Sequence, residues 1–174
     1  MNKFTENINS FILPVVIILV LSLTRLIPHP WNFSPMLAVG IFSGFYFKQF
    51  YLSLFIIIFS MFIGDLFLGF HSTMFFTYIS LAIAVLIGFY VKNFKFSVIL
   101  FSGLSSSVCF FIITNFGAWL TLDIYTKNFT GLLQSYVMAI PFFHNTLIST
   151  FVYLIILKIF FDLAVRKKIL KTSF

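Results

Sequence analysis

Charged side chains are scarce in this sequence. Of its 174 residues, 11 are Lys or Arg and 4 are Asp or Glu, so that 9% are charged, whereas soluble domains carry about 25%. A chain with so few charges could not cover its own surface with polar groups, which excludes a soluble enzyme and a disordered tail. The single cysteine, Cys109, excludes a scaffold held together by intramolecular disulfides.

Apolar residues are abundant instead. They make up 61% of the chain, and the mean hydropathy is +1.11. This composition predicts an all-α integral membrane protein. The length suits about six spanning helices of roughly 20 residues joined by short loops, so the whole chain, 1–174, is expected to be a single transmembrane domain.

Six apolar stretches are predicted to cross the membrane. Their approximate bounds are 11–27, 35–47, 51–70, 73–91, 97–122 and 141–163. Each is apolar around its whole circumference, which is typical of helices exposed to lipid. The segment 129–140 is too short and too mixed in polarity to span, and we expect it to form a separate short helix at the outer interface. Pro141 would then open the sixth helix, in the first turn where proline is tolerated.

The basic residues predict the orientation. With six spans and cytoplasmic N- and C-termini, eight Lys or Arg fall in cytoplasmic segments and two in outer segments. The cytoplasmic set is Lys3, Lys48, Lys92, Lys95, Arg166, Lys167, Lys168 and Lys171, and the outer set is Arg25 and Lys127. This is a positive-inside bias. Topology and anionic lipid headgroups explain the net charge of +7, so no nucleic-acid partner is expected.

Polar residues gather on the outer side of the predicted bundle. Asp65 lies about 14 residues into the third helix, roughly 20 Å from its cytoplasmic end, and all three His and both Trp fall on the same outer side. This one-sidedness predicts a cavity that is open to the outside. The candidate substrate-binding residues are Arg25, His29, Asn32, Asp65, Asn115, Trp119, His144 and Asn145.

Each candidate has an expected role and a plainer alternative. Arg25 would hold an anionic group, and Asp65, costly at that depth, would either pair with Arg25 or accept from a ligand donor. Trp119 would stack on a ring, although an interfacial aromatic belt would place a Trp there anyway. Asn115 and Asn145 would supply hydrogen bonds, Asn115 alternatively to another helix. The second, fourth and sixth helices start on the outer side, where their dipoles favour an anionic or carbonyl group.

Catalytic and metal motifs are absent. The sequence contains no CxxC, HExxH, P-loop, GxSxG or GxGxxG pattern, so we expect a protein that is not an enzyme, holds no cofactor or metal and lacks its own energy source. Two alternatives to a solute-binding subunit stay open. One is a structural or assembly subunit of a larger membrane complex. The other is an intramembrane enzyme with a metal held by His29, His71, His144 and Asp65.

Four stretches carry a family resemblance: RLIPHPWNFSP at 25–35, GDLFLG at 64–69, FIITNFGAWL at 111–120 and IPFFHNT at 140–146. Over about 25–150, the chain resembles an uncharacterised bacterial family of small membrane proteins that are described as transport proteins. Its six-helix size and the GDLFLG stretch are more distantly similar to the substrate-specific (S) components of energy-coupling factor (ECF) vitamin transporters.

The resemblance to S components implies a function. It implies a protein of the bacterial plasma (inner) membrane that binds a vitamin-like or other small organic solute from outside, as the substrate-binding subunit of a transporter. The further partners implied are a transmembrane coupling subunit and its ATPases. S components dock through an Ala-x-x-x-Ala motif on the first helix. That motif is missing here, and the nearest pair of small residues with this spacing is Gly40 and Gly44.

Overall fold

The computed structural model describes residues 3–167, with side chains described from residue 12 onwards. These residues form six helices and no strand, which confirms the all-α class and the number of helices. The helices are α1 (Lys3–Leu23), α2 (Met36–Phe47), α3 (Phe50–Leu68), α4 (Met74–Tyr90), α5 (Phe96–Thr121) and α6 (Phe129–Arg166). A short 3-10 turn, Thr24–Leu26, follows α1.

Most helix bounds lie close to those predicted. Helices α2 to α5 begin and end within two residues of the apolar stretches read from the sequence. Helix α1 differs, because it begins at Lys3 and ends at Leu23 instead of covering 11–27. Its first turns carry Asn and Glu residues that are compatible with a helix but do not register in a search for apolar runs.

Helix α2 lies at the centre of the bundle and contacts each of the other five helices. All residues of Met36–Tyr46 are buried. The uniform apolar character of this helix therefore reflects burial inside the protein, and the expectation that every apolar stretch faces lipid is wrong for α2. Its 12 residues extend only about 18 Å, which a helix surrounded by protein tolerates.

Two glycines bring the backbones of α2 and α4 together. A Cβ atom at Gly44 would overlap the carbonyl oxygen of Val85, and one at Gly88 would overlap the carbonyl oxygen of Ile41. Such pairs of small residues allow close helix packing in membranes. Because Gly44 is used against α4, the Gly40–Gly44 pair is not a free docking surface.

Helix α6 is longer than predicted. It continues for 38 residues from Phe129 to Arg166, and Pro141 lies inside it. The expectation of a separate interfacial helix over 129–140, with Pro141 opening the sixth helix, is therefore wrong. At 1.5 Å per residue α6 extends about 57 Å.

Packing against α5 explains the extra length of α6. Gly131, Ser135 and Ala139 are spaced four residues apart, so they share one face of the helix, and all three are buried. The Tyr136 hydroxyl donates to the carbonyl oxygen of Ile112 at 2.9 Å. The first turns of α6 thus pack along the second half of α5 and do not lie flat at an interface.

Among the residues described with their side chains, three helices are long and apolar enough to cross a membrane by length and composition: Phe50–Leu68, Phe96–Thr121 and Phe129–Arg166. The segments Ile12–Leu26, Met36–Phe47 and Met74–Tyr90 are apolar but shorter. These helices have the character expected of a membrane protein.

Candidate functional site

A cavity of about 890 Å³ lies at the end of the bundle where α1, α3 and α5 end and α2 and α4 begin. Its volume falls in the range of about 300–1,000 Å³ that is usual for small-molecule sites. The floor includes Leu37 at the start of α2 and Leu81 of α4, both buried. Exposed residues such as Ile27 and Trp31 line the rim.

A buried ion pair lies in the cavity wall. The Arg25 Nη2 donates to Asp65 Oδ1 at 3.0 Å, and the Tyr78 hydroxyl donates to Asp65 Oδ2 at 2.9 Å. The Asp65 side chain is 1% exposed and that of Arg25 is 13% exposed. Since both carboxylate oxygens have a donor, the cost of burying this charge is offset. Of the two roles weighed for Asp65, the structure shows the pairing with Arg25.

The position of Arg25 depends on the surface of α3. Its Nη1 lies 2.8 Å from the Met61 sulfur and 3.4 Å from the Met61 carbonyl oxygen. A Cβ atom at Gly64 would lie 2.8 Å from the same Nη1, which is closer than ordinary contacts. The guanidinium therefore lies directly on α3, against the Cα of Gly64.

Five of the eight predicted site residues line the cavity and three do not. Those lining it are Arg25, His29, Asn32, Asp65 and Asn115. Of the other three, Trp119 donates from its indole N–H to the Thr126 carbonyl oxygen at 3.0 Å. Asn145 donates to the carbonyl oxygen of Trp31 at 2.9 Å and so ties the α1–α2 connection to α6. His144 is exposed outside the cavity.

Hydroxyl-bearing residues complete the site, and the sequence reasoning did not single them out. Thr77, Thr114 and Thr146 line the cavity from α4, α5 and α6. The Tyr78 hydroxyl donates the second hydrogen bond to the Asp65 carboxylate. Thr114 adjoins the predicted Asn115, so the prediction of Asn115 could have been extended to this neighbour. A lone Thr or Tyr in an apolar helix carries none until the packing of its neighbours is known.

The start of α2 adds a polar element to the cavity. Met36 and Leu37, its first two residues, line the cavity, and the Ser34 hydroxyl accepts from the Met36 N–H at 3.4 Å. The start of a helix carries a partial positive charge. Together with Arg25, it favours a negative or carbonyl group at this end of the bundle.

In the part of the chain that the structure describes, the side chains do not form a metal-binding site. Within that part, no group of three or more His, Cys, Asp and Glu side chains is arranged to hold an ion. His29 and His71 both line the cavity. His29 Nδ1 lies 2.9 Å from the Pro30 carbonyl oxygen, and His71 Nδ1 lies 2.9 Å from the Thr73 hydroxyl.

Comparison with protein families places the chain. Residues 5–172 match a family described as a family of unknown function (DUF6580). The chain belongs to DUF6580. The matched range contains every residue that lines the cavity of this DUF6580 protein. Comparisons with curated proteins and with solved structures find no match.

Proposed function

We propose that this DUF6580 protein is a six-span membrane protein that captures a small organic solute from outside the cell, as the substrate-binding subunit of a transporter. One observation carries the proposal: a cavity of about 890 Å³ at one end of the bundle has a buried Arg25–Asp65 pair in its wall. A pocket of this size with a few convergent polar groups is the usual form of a small-molecule site.

The distribution of basic residues supports an outward-facing cavity. Lys48 follows the last residue of α2 at the end of the bundle opposite the cavity, and the exposed Lys92 and Lys95 lie in the α4–α5 connection at that same end. At the cavity end, Arg25 is ion-paired, and Lys127 donates to two backbone carbonyl oxygens. The positive-inside rule favours a cytoplasmic position for the lysine-rich end, and this supports a cavity open to the outside and cytoplasmic termini.

Transport would need a partner with its own energy source, because the chain carries no ATPase motif. The distant similarity to ECF S components suggests a transmembrane coupling subunit with ATPases. The Gly40–Gly44 face is packed against α4, so such a partner would dock on another face of the bundle.

The alternative is a structural or assembly subunit whose outer polar groups bond to neighbouring proteins. Trp119 and Asn145 do not support that alternative, because the side chain of each already donates to a backbone carbonyl oxygen of this chain. The cavity supports solute binding instead, since Arg25 and Asn115 line its wall.

Native mass spectrometry of the full chain, purified from its own host in mild detergent, tests the proposal. We expect a small-molecule adduct on the wild-type protein and none on the double variant Arg25→Gln, Asp65→Asn, which removes both charges together. The matched control is Lys158→Gln, Asp162→Asn, at the ion pair of α6, and it should keep the adduct. A wild-type protein that carries only protein partners would support the assembly alternative and contradict solute binding.

A further inference from the structure

Three threonines give the cavity wall a one-sided hydrogen-bonding character. Thr77, Thr114 and Thr146 line it from three different helices. Each hydroxyl donates to the carbonyl oxygen four residues earlier in its own helix, at 3.3, 2.7 and 3.1 Å respectively. A hydroxyl has one hydrogen and two lone pairs, so the three oxygen atoms remain available as acceptors.

Asn115 adds to the same pattern. Its side-chain nitrogen donates to the carbonyl oxygen of Phe111, again four residues earlier, at 2.7 Å. The carbonyl oxygen of this amide is thereby left as an acceptor beside Thr114. The wall formed by α4, α5 and α6 therefore offers acceptors in excess of donors.

Arg25 has the opposite character. Among the described residues that line the cavity, Arg25 and Asp65 are the only Lys, Arg, Asp or Glu. The contacts of Arg25 with Asp65 and Met61 use at most three of the five guanidinium N–H groups, which leaves at least two for a ligand. Asp65 is 1% exposed with both oxygens engaged, so a cationic ligand group could not reach it without displacing Arg25 or Tyr78.

We infer that the ligand is a small organic acid with one anionic group for Arg25 and with hydroxyl or amide N–H donors for the threonine wall, an assignment that rests on the function proposed above. One anionic group is expected because Arg25 is the one Lys or Arg among the described residues that line the cavity, and its N–H groups not bonded to Asp65 or Met61 can donate to one carboxylate. The apolar floor, with Leu37, Leu81 and Phe110, would accept the carbon skeleton.

A panel of compounds on shared carbon skeletons tests this class. Each skeleton is made as a hydroxylated monocarboxylate, a plain monocarboxylate, a hydroxylated amine and a dicarboxylate, with 6-hydroxyhexanoate, hexanoate, 6-aminohexanol and adipate as the first set. Thermal unfolding of the purified full chain identifies binders, and calorimetry gives their affinities. Hydroxylated monocarboxylates should bind best, and loss of the hydroxyl should weaken binding about three- to tenfold.

The panel separates two failures. Preferential binding of amines or dicarboxylates would overturn the ligand class while leaving solute binding intact. No binding in any series would contradict the proposed function itself.

Single hydroxyl deletions locate the effect. Thr114→Val and Thr146→Val should each reduce the preference for hydroxylated over plain monocarboxylates about threefold or more, while the preference for acids over amines stays. Thr121→Val is the matched control, because Thr121 makes the same bond to its own helix at 2.8 Å on α5 but does not line the cavity. Equal effects of all three changes, or none, would overturn the acceptor wall.

Discussion

Two ion pairs lie toward opposite ends of the bundle, and they differ in distance, in exposure and in the helices that they connect. Lys158 and Asp162 approach to 2.7 Å within α6, with side chains 26% and 45% exposed. Arg25 and Asp65 approach to 3.0 Å, with side chains 13% and 1% exposed. The shorter pair is the more exposed one, so distance alone does not show which pair matters.

Connectivity separates the two pairs. Lys158–Asp162 is an i,i+4 pair within one helix, a local arrangement that contributes a few tenths of a kcal/mol. Arg25–Asp65 joins the end of α1 to α3, and Tyr78 adds α4. The Arg25–Asp65 pair therefore connects three helices beside the cavity, whereas the Lys158–Asp162 pair lies within one helix.

Breaking the Arg25–Asp65 pair should have the largest effect on the free energy of unfolding. Asp65→Ala leaves the Arg25 charge without its partner in a mostly buried place, and we expect a loss of about 3–5 kcal/mol in the free energy of unfolding. Asp162→Ala should cost about 0.5 kcal/mol or less. Denaturant unfolding of both variants in the same detergent measures the difference, and equal losses would remove the contrast between the two pairs.

A double-mutant cycle sharpens the contrast. Arg25→Gln with Asp65→Asn should recover stability relative to either single change, with a coupling of about 1–3 kcal/mol, because neither charge is then left alone. The same cycle at Lys158 and Asp162 should couple by less than about 0.5 kcal/mol. If the stability losses of the Arg25 and Asp65 substitutions were additive, the two side chains would not depend on each other.

Gly64→Ala tests whether the surface of α3 positions the guanidinium. The added methyl group would lie 2.8 Å from Arg25 Nη1, and because this nitrogen ends a flexible side chain that can shift, we expect a cost of about 1 kcal/mol, the low end for an added methyl group. The same substitution in an Arg25→Gln background should cost less, because the crowded guanidinium is gone. The free energies of unfolding of the wild type, the two single variants and the double variant measure this difference. An equal cost of Gly64→Ala in both backgrounds would mean that the added methyl group clashes with another part of the protein.

Two lysines give the smallest contrast between the ends. At the end opposite the cavity, the partly buried Lys48 donates to the carbonyl oxygens of Phe89 and Val91 at the end of α4. At the cavity end, the exposed Lys127 donates to the carbonyl oxygens of Trp119 and Leu122 at the end of α5. Lys48→Met should cost about 1 kcal/mol and Lys127→Met less, because solvent replaces the exposed bonds. Their unfolding free energies test the order, and a larger loss at Lys127 would reverse it.

The sequence predicted helix bounds correctly where polar residues end an apolar run. It predicted them wrongly where packing against another helix determines the bounds. Helices α3, α4 and α5 match the apolar runs closely, because polar residues flank those runs. The first turns of α6 look like an interfacial segment on composition alone. Their packing depends on Gly131 fitting against Thr126 in the connection that follows α5 and on Tyr136 reaching Ile112 of α5, and no one-dimensional pattern shows that.

The candidate site shows the same division. Charge and depth singled out Arg25 and Asp65, because a buried carboxylate needs a partner. Thr77 and Thr146 carry no such signal, since threonine is common in apolar helices, and only the arrangement of α4 and α6 turns them to one cavity. Trp119 and His144 were predicted at the same end of the bundle as the cavity but do not line it, because position along a helix does not determine which way a side chain faces.

Thiol labelling in intact cells tests the central claim that the cavity faces outside. In a Cys109→Ser background, Asn32→Cys places a thiol on an exposed residue that lines the cavity, and Lys95→Cys places one on an exposed residue at the opposite end. Asn32→Cys should react with a membrane-impermeant maleimide, whereas Lys95→Cys should react only with a permeant one. If the impermeant maleimide labelled Lys95→Cys and left Asn32→Cys unreacted, the cavity would face the cytoplasm. That result would contradict capture of a solute from outside.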